Sequence, residues 1–325
     1  MTTSEETAEY DRFGPWVDEV REPVDVPRLF RSYPVDLDAT RLVLKVPRGI
    51  ARRDATPGMD LYDHLLVLDD EQLTVLSRVE AGEGAFDVTT LPLARLVAVR
   101  DVVNLLDASL SVHTSDGEQV LVRYNGSARA NIGRLVGELR QAVGHTGSSL
   151  PVPPVAQALR RAGSERAASG ASLDPGSADS ALTADFATLR QQVPSIVPWT
   201  FHGRVTVTPG GPSGPSGLGA LVQRVLHTFS PMTLHGCVLA ADDVALEVLG
   251  RHEWLIRGKN PVYSSSRLMV AWHALDGLTL APHPTYPAAA VATLTAGRYA
   301  GELVVPVESP AHALLTEAAT AATPA

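Results

Sequence analysis

Short apolar runs separated by polar turn residues fill the chain from residue 41 to residue 124. In several runs apolar and polar positions alternate, as they do around Leu110 and Val112. A period of two with branched side chains is typical of strands that are buried on one face. The pattern predicts seven strands, at 42–46, 62–68, 73–79, 86–90, 93–99, 108–112 and 120–124.

A helix is predicted directly after the last of these strands. Ser127 suits its N-cap, because a serine oxygen accepts a free N–H of the first turn. Gly144 is predicted to end it. One apolar stripe with spacings of three and four lies between them: Ile132, Leu135, Val136, Leu139 and Val143. Seven strands and a closing helix predict an antiparallel β domain over 41–145.

The first forty residues show no strong periodicity. Because proline fixes φ and lacks an N–H, the four prolines among them predict an extended N-terminal arm over 1–40. Aromatic side chains in such an arm need a surface to cover, which is either the following domain or a partner. These side chains are Tyr10, Phe13, Trp16, Phe30 and Tyr33.

The middle of the chain has a different composition. No aromatic residue occurs between Asn125 and Asp185, and Ser, Ala, Gly, Pro and Arg dominate 146–181. Such a segment buries too little apolar surface to offset chain entropy, so a disordered linker is predicted over 146–181. The rest is assigned to a second domain at 182–318, a helical insertion within it at 217–229 and a tail at 319–325.

The two domains share a repeated segment. Residues 69–80 align without a gap with 242–253, and seven of the twelve positions are identical. In both copies a pair of aspartates follows a strand-like run, which predicts that the acids lie in a hairpin turn. Leu73 is then equivalent to Leu246, and Leu76 to Leu249.

Two later features extend the repeat. Residues 301–305 resemble 117–121, and Ser309 followed by Pro310 predicts the start of a last helix. A shared order of hairpin, later hairpin and closing helix favours duplication of one domain over chance similarity.

Charge and composition exclude several classes of protein. The 325 residues carry a formal net charge of −9, which argues against a protein that coats nucleic acid or an anionic membrane. Cys237 is the single cysteine, so an internal disulfide is excluded. The sequence has no apolar run of spanning length and begins with a polar, acidic segment, which predicts a cytoplasmic protein without a transmembrane segment. Only two of the 27 basic residues are lysine, which is typical of a GC-rich bacterial genome.

Seven short strands followed by one amphipathic helix resemble the pleckstrin-homology-like fold, in element order. The resemblance covers about 41–144 and about 202–318, and the composition is similar to that of tandem-domain proteins of actinobacteria. It implies two small antiparallel β-barrel or sandwich domains, each closed by a C-terminal helix. Ligands of that superfamily often bind the loop between the first two strands, which implies loops 47–61 and 208–233 here.

The first of these loops concentrates positive charge. Five basic residues and no acid occur between Arg41 and Arg53. The candidate ligand-binding residues are Arg48, Arg52 and Arg53, because guanidinium groups bind phosphate or carboxylate through paired hydrogen bonds. The alternative is a solvated loop whose arginines pair with nearby aspartates.

Catalytic patterns are scarce. The ten histidines show no zinc-ligand spacing, and Ser264 to Ser266 do not form a nucleophile elbow. His283, between two prolines, is interpreted as a turn residue, and Cys237 as a small buried residue of a strand. No catalytic residue, metal site or cofactor is therefore predicted.

Two functional hypotheses remain. The first is a non-enzymatic binding or scaffolding protein that uses two tethered modules to bind a protein partner, or an anionic ligand such as a lipid headgroup, with no nucleic acid expected. The alternative is an enzyme with a site between the two domains, which requires convergent polar groups.

Overall fold

A computed structural model describes most of the chain. The chain divides into two compact units, Met1–Thr146 and Gly147–Ala325, which we call unit 1 and unit 2. The described residues are 4–80, 84–147, 149–169, 179–210, 232–257 and 264–322.

Unit 1 contains two antiparallel sheets, with strand orders β1-β2-β3-β4-β5 and β6-β7-β8. Each strand pairs with the strand that follows it within its sheet, and the connections 20–41 and 48–61 are the longest. Strands β2 to β8 correspond to the seven predicted runs, which are confirmed except that Leu93–Arg95 form a 3-10 turn and the fifth predicted strand starts at Leu96. The bounds are β1 Asp18–Glu19, β2 Leu42–Pro47, β3 Tyr62–Leu68, β4 Gln72–Arg78, β5 Phe86–Pro92, β6 Leu96–Asn104, β7 Asp107–Thr114 and β8 Gln119–Asn125.

The closing helix of unit 1 is also confirmed, with different ends. Helix α2 spans Arg129–Gly147 and buries the whole predicted apolar stripe. A 3-10 turn, Gly126–Ala128, precedes it, and the Asn125 side chain accepts a hydrogen bond from the backbone N–H of Ser127 at 3.0 Å. The cap therefore comes from the last residue of β8, and the prediction of Ser127 as the N-cap was wrong.

The N-terminal segment is more ordered than an extended arm. It contains helix α1, Ser4–Arg12, the short strand β1 and two 3-10 turns, Pro23–Asp25 and Arg28–Phe30. Phe13 meets Tyr62 edge-on with ring centroids 6.2 Å apart, and Phe30 meets Phe86 at 5.5 Å. Four of the five aromatic side chains thus pack on their own domain, whereas Trp16 is 54% exposed. This packing organises a segment whose prolines had predicted no element.

Unit 2 contains three antiparallel sheets, with strand orders β9-β12-β13-β15, β10-β11-β14 and β16-β17-β18. Ser309 caps its last helix, α5, by accepting a hydrogen bond from the backbone N–H of His312 at 3.1 Å. The strands are β9 Val197–His202, β10 Val205–Val207, β11 Met232–Leu234, β12 Cys237–Ala241, β13 Ala245–Gly250, β14 Leu255–Arg257, β15 Ser264–Ala271, β16 Gly277–Pro282, β17 Ala289–Ala296 and β18 Tyr299–Pro306. The helices are α3 Pro154–Ala168, α4 Ser180–Gln192 and α5 Pro310–Ala322.

Helix α3 lies inside the predicted linker, so the prediction of disorder was wrong for 154–168. The helix packs against α5 and β9, and its Leu159 is fully buried. Gly163 approaches the Trp199 ring so closely that a Cβ at this position would overlap the ring. The segment has no aromatic residue of its own, and the burial that orders it comes from helix α5 and from Trp199 on β9.

Three other predicted segments differ from the structure or lie outside the described residues. Helix α4 starts at Ser180, inside the predicted linker, and α5 continues to Ala322, inside the predicted tail. The helical insertion predicted at 217–229 lies outside the described residues, as do 170–178 of the linker and 323–325 of the tail.

The repeated hairpins have the same register. Leu73 is paired with Leu68, the residue before Asp69, and Leu246 is paired with Ala241, the residue before Asp242. In both units the first aspartate of the turn accepts hydrogen bonds from the backbone N–H groups two and three residues later, at 2.8 Å each in unit 1 and at 2.9 and 3.3 Å in unit 2. The predicted structural turn and the equivalence of the leucines are confirmed.

The second similarity is displaced. Gly117, with φ of 92°, lies in the turn between β7 and β8, whereas Gly301 lies within strand β18. The turn glycine of unit 2 is Gly297, with φ of 61°. The resemblance of 301–305 to 117–121 therefore does not mark equivalent positions.

The fold class is thus β-rich, with antiparallel sheets and a C-terminal helix in each unit. Among the described residues none of the sheets closes into a barrel, so the barrel form is not observed. The assignment to the pleckstrin-homology-like fold stays a prediction. No helix in the described ranges is long and apolar enough to cross a membrane.

Candidate binding groove

The structure places the three candidate arginines in different surroundings. Arg48 follows β2 and donates from Nη1 to the carbonyl oxygen of Asp60 at 3.2 Å. Arg53 is 87% exposed, and its Nε lies 3.8 Å from the Asp54 carboxylate. Their joint role in ligand binding stays a prediction, and the surroundings of Arg48 differ most clearly from those of an ordinary surface arginine.

Arg52 contacts the N-terminal segment. Its guanidinium lies over the Tyr10 ring, 4.8 Å from the centroid, and donates to the carbonyl oxygens of Asp11 and Phe13. A cation at a helix C-terminus is favoured, because the last carbonyl groups lack partners within the helix. Arg52 therefore holds the C-terminal end of α1 on unit 1.

An open groove of about 750 Å³ lies beside Arg48 in unit 1. Because β2, β3 and β4 are antiparallel neighbours, the C-terminal end of β2, the start of β3 and the C-terminal end of β4 lie at the same end of the sheet. Arg48 and Arg78 lie at this end, and Arg28 comes from the 3-10 turn of the N-terminal segment. The other lining residues are Leu29, Ser32, Gly58, Met59, Asp60, Glu80 and Gly84.

The three arginines of the groove are held differently. Arg78 binds Asp63 through Nε and Nη2, both at 2.9 Å. Arg28 donates to the carbonyl oxygen of Met59 at 3.1 Å and pairs with Glu6 at 2.9 Å. Arg48 is 3.9 Å from Asp63, which is beyond hydrogen-bond distance, so its main anchor is a neutral carbonyl group.

Sequence reasoning missed two of these residues. The sequence contains a signal for Arg78, because Arg78 is one of the identical positions of the repeat and is aligned with Arg251. It contains no signal for Arg28, since Arg28 lies in a segment that lacks periodicity and reaches the groove only through tertiary folding.

The isolated candidates have structural roles. Cys237 is fully buried, and burial raises the pKa of its thiol, which disfavours the reactive thiolate. The ring Nδ1 of His283 accepts hydrogen bonds from the backbone N–H groups of Thr285 and Tyr286, at 3.1 and 3.2 Å. His283 is therefore a turn residue, as predicted.

Unit 2 contains a buried polar cluster that the sequence did not reveal. Arg251 donates from Nη2 to Asp179 at 2.8 Å and from Nη1 to the carbonyl oxygen of Ser264 at 2.6 Å. Next to it, Nδ1 of His252 and the Ser264 hydroxyl are 2.6 Å apart. Ser264 is only 1% exposed, so this pair links the bend after β13 to the start of β15, and the serine hydroxyl is not open to a substrate.

Two further histidines lie near this cluster. His202 and His235 are buried, and within the described part of the chain no hydrogen-bond partner meets Nε2 of either ring. Burial lowers the pKa of both side chains, that of His202 to about 4. Both rings are therefore neutral near pH 7. No group of three or more His, Cys, Asp or Glu among the described residues has the geometry to hold a metal ion.

Comparison with known proteins identified no relative. No family model matches the chain, and neither a curated protein nor a solved structure is significantly similar to it.

Proposed function

We propose that the protein is a non-enzymatic binding module whose unit 1 groove takes an anionic group of a protein partner. The observation that supports this proposal is the presence of three arginines, Arg28, Arg48 and Arg78, on the wall of one open groove. Guanidinium groups bind carboxylate and phosphate through short, charge-assisted hydrogen bonds, which are about twice as strong as neutral ones.

Arg48 is the central residue of this proposal. Its guanidinium has five N–H donors, and one is used by the carbonyl oxygen of Asp60. This bond orients the side chain without neutralising its charge. A ligand oxygen that approaches Arg48 therefore meets a positioned cation, and less side-chain entropy is lost on binding.

The acids of the groove limit what it accepts. Asp60 and Glu80 also line it, and Asp63 pairs with Arg78. A small free anion gains attraction from the arginines and meets repulsion from these carboxylates. A peptide-borne anion gains further contacts along the groove, and for this reason we favour a protein partner over a free ion.

Titration of the full-length chain with a fluorescently labelled oligoglutamate peptide tests the proposal. Arg48→Ala should weaken binding by about ten- to a hundredfold, since a charge-assisted hydrogen bond contributes about 1.5–3 kcal/mol. The matched control is Arg53→Ala, which removes an arginine of the same loop that does not line the groove and should leave the affinity unchanged.

Two outcomes would contradict the proposal. Equal effects of Arg48→Ala and Arg53→Ala would mean that binding follows net charge alone. The second is displacement of the labelled peptide by inorganic phosphate at the same concentration as by unlabelled peptide. The groove would then bind a free ion, and the rest of a protein chain would add nothing to the affinity. Arg52→Ala in the same titration tests whether Arg52, which the sequence also predicts as a ligand-binding residue, contributes to the affinity for the peptide.

A further inference from the structure

The first turn of helix α1 is held on unit 1 by two ion pairs. None of the nine residues of α1 is buried. Glu5 pairs with Arg31 at 3.1 Å, and Glu6 pairs with Arg28 at 2.9 Å. The first turn of α1 is therefore attached through partly exposed ion pairs, and such pairs contribute little to stability and weaken as salt increases.

The other end of the helix is fixed more firmly. Tyr10 packs on the core of unit 1, and Phe13, directly after α1, is 4% exposed. Arg52 stacks on Tyr10 and binds the last carbonyl groups of the segment. The first turn can thus leave its ion pairs while the C-terminal end stays in place.

The partner of Glu6 is a residue of the groove. Arg28 lines the groove and receives the Glu6 carboxylate at 2.9 Å. We propose that α1 is a built-in competitor of the ligand, and that the partner is an acidic protein segment that replaces Glu6 on Arg28. This inference rests on the function proposed for the groove and specifies both the chemistry of the partner and the regulation of the site.

Covalent linkage makes such a competitor effective. A tethered carboxylate is present at a high effective concentration beside Arg28, so a single ion pair suffices to compete with a free ligand. By linkage, any ligand that displaces Glu6 takes from the first turn of α1 one of its two ion pairs, and removal of the Glu6–Arg28 pair must increase ligand affinity by the same factor.

The test compares two adjacent glutamates of α1 in the full-length chain. Glu6→Gln removes the charge on Arg28, and Glu5→Gln removes one charge from the same turn but leaves Arg28 paired. Glu6→Gln should increase the affinity for the labelled oligoglutamate peptide about fivefold, whereas Glu5→Gln should change it less than twofold. Equal effects of the two variants would overturn the inference.

Amide hydrogen exchange provides the second measurement. Saturating wild-type protein with the peptide should accelerate exchange in 4–12, because the first turn is displaced. Slower exchange there would show that α1 is part of the ligand site and would also overturn the inference.

The two proposals fail in different ways. If Arg48→Ala weakens binding but Glu6→Gln behaves like wild type, the groove binds acidic peptides and α1 does not compete. If the peptide binds neither the wild type nor Glu6→Gln, the proposed function is wrong, and the inference about α1 fails with it.

Discussion

In unit 1 the arginine at the end of the repeated hairpin pairs with its own sheet, whereas in unit 2 the equivalent arginine pairs with a residue from outside the sheet. Arg78, at the end of β4, binds Asp63 of the neighbouring strand β3 at 2.9 Å. Arg251, directly after β13, binds Asp179 at 2.8 Å, and Asp179 lies just before helix α4.

A single position accounts for the exchange of partners. Extending the ungapped alignment toward the N-terminus through the preceding strands places Asp63 at the position of Gly236. A Cβ at Gly236 would lie 2.5 Å from Oδ2 of Asp179, so the Asp179 carboxylate occupies the space that a side chain at this position would take. Unit 2 has the same arginine as unit 1, but the carboxylate that pairs with it comes from another part of the chain.

The exchange also changes the environment of the pair. The side chains of Arg251 and Asp179 are 9% and 6% exposed, whereas those of Arg78 and Asp63 are 14% and 32% exposed. Burial makes the unit 2 pair costly to break, because Asp179 without Arg251 would be a buried carboxylate with no cation beside it, while Arg251 without Asp179 would retain the more distant Asp185 at 3.8 Å. The same repeated arginine is thus a core residue in one unit and a groove residue in the other.

Replacing the two arginines should have very different consequences. Arg251→Met should destabilise unit 2 by about 3–5 kcal/mol, because Asp179 would stay buried and unpaired. Arg78→Met should cost unit 1 about 1 kcal/mol, because Asp63 regains water. Urea unfolding measures the first through tryptophan fluorescence, since three of the four tryptophans lie in unit 2 and Trp16 of unit 1 is already 54% exposed in the folded state. Amide exchange in β3 and β4 measures the second. Similar losses in both units would break the comparison.

Acid should weaken unit 2 through His202. Burial lowers the pKa of His202 to about 4, while the unfolded chain has the ordinary value of 6.5. Below about pH 6.5 the unfolded state therefore takes up a proton that the folded state does not accept until about pH 4. The stability of unit 2 should fall by up to about 3 kcal/mol across this window and level off below it.

The variant His202→Asn keeps a side-chain donor near the carbonyl oxygen of Gly203 and removes the titration. Its urea midpoint, followed by tryptophan fluorescence, should depend less on pH between 6.5 and 4 than that of the wild type. An unchanged pH dependence would mean that another group, such as His235, carries the effect.

A methyl group at Gly236 should give the smallest effect of the three. Gly236→Ala should destabilise unit 2 by about 1–2 kcal/mol, since the new Cβ would press on Asp179 and on the carbonyl oxygen of His202. The matched control is Gly137→Ala in helix α2, where nothing lies within 4 Å and the higher helix propensity of alanine should stabilise unit 1 by about 0.5–1 kcal/mol. Thermal unfolding of both variants checks the pair, and a neutral Gly236→Ala would remove the steric explanation.

The sequence predicted the elements of unit 1 well where local patterning matched burial. In β7 the residues Ala108, Leu110 and Val112 alternate with exposed or half-buried neighbours, and each is at most 2% exposed. Helix α3 was missed for the opposite reason. Its buried positions include Ala156 and Gly163, which are too small to signal a core, and the Trp199 ring that covers Gly163 lies more than thirty residues away.

The candidate groove was predictable only in part. Arg48 was identified from the charge of its loop, because a local excess of basic residues is visible in the sequence. Arg28 was not, since its neighbours Met59 and Glu6 come together only in the folded chain. Arg52 had the same sequence signal as Arg48, yet the structure gives it to α1, because Tyr10 and Phe13 pack beside it.

Residue order alone thus determined strands β2 to β8, the closing helices and the repeated aspartate turns, because these depend on side-chain period and on hydrogen bonds between residues two or three apart. The tertiary structure decided which carboxylate each arginine binds and which apolar segments become ordered. Those outcomes depend on the space that distant residues leave, and at Gly236 the absence of a single side chain makes room for Asp179.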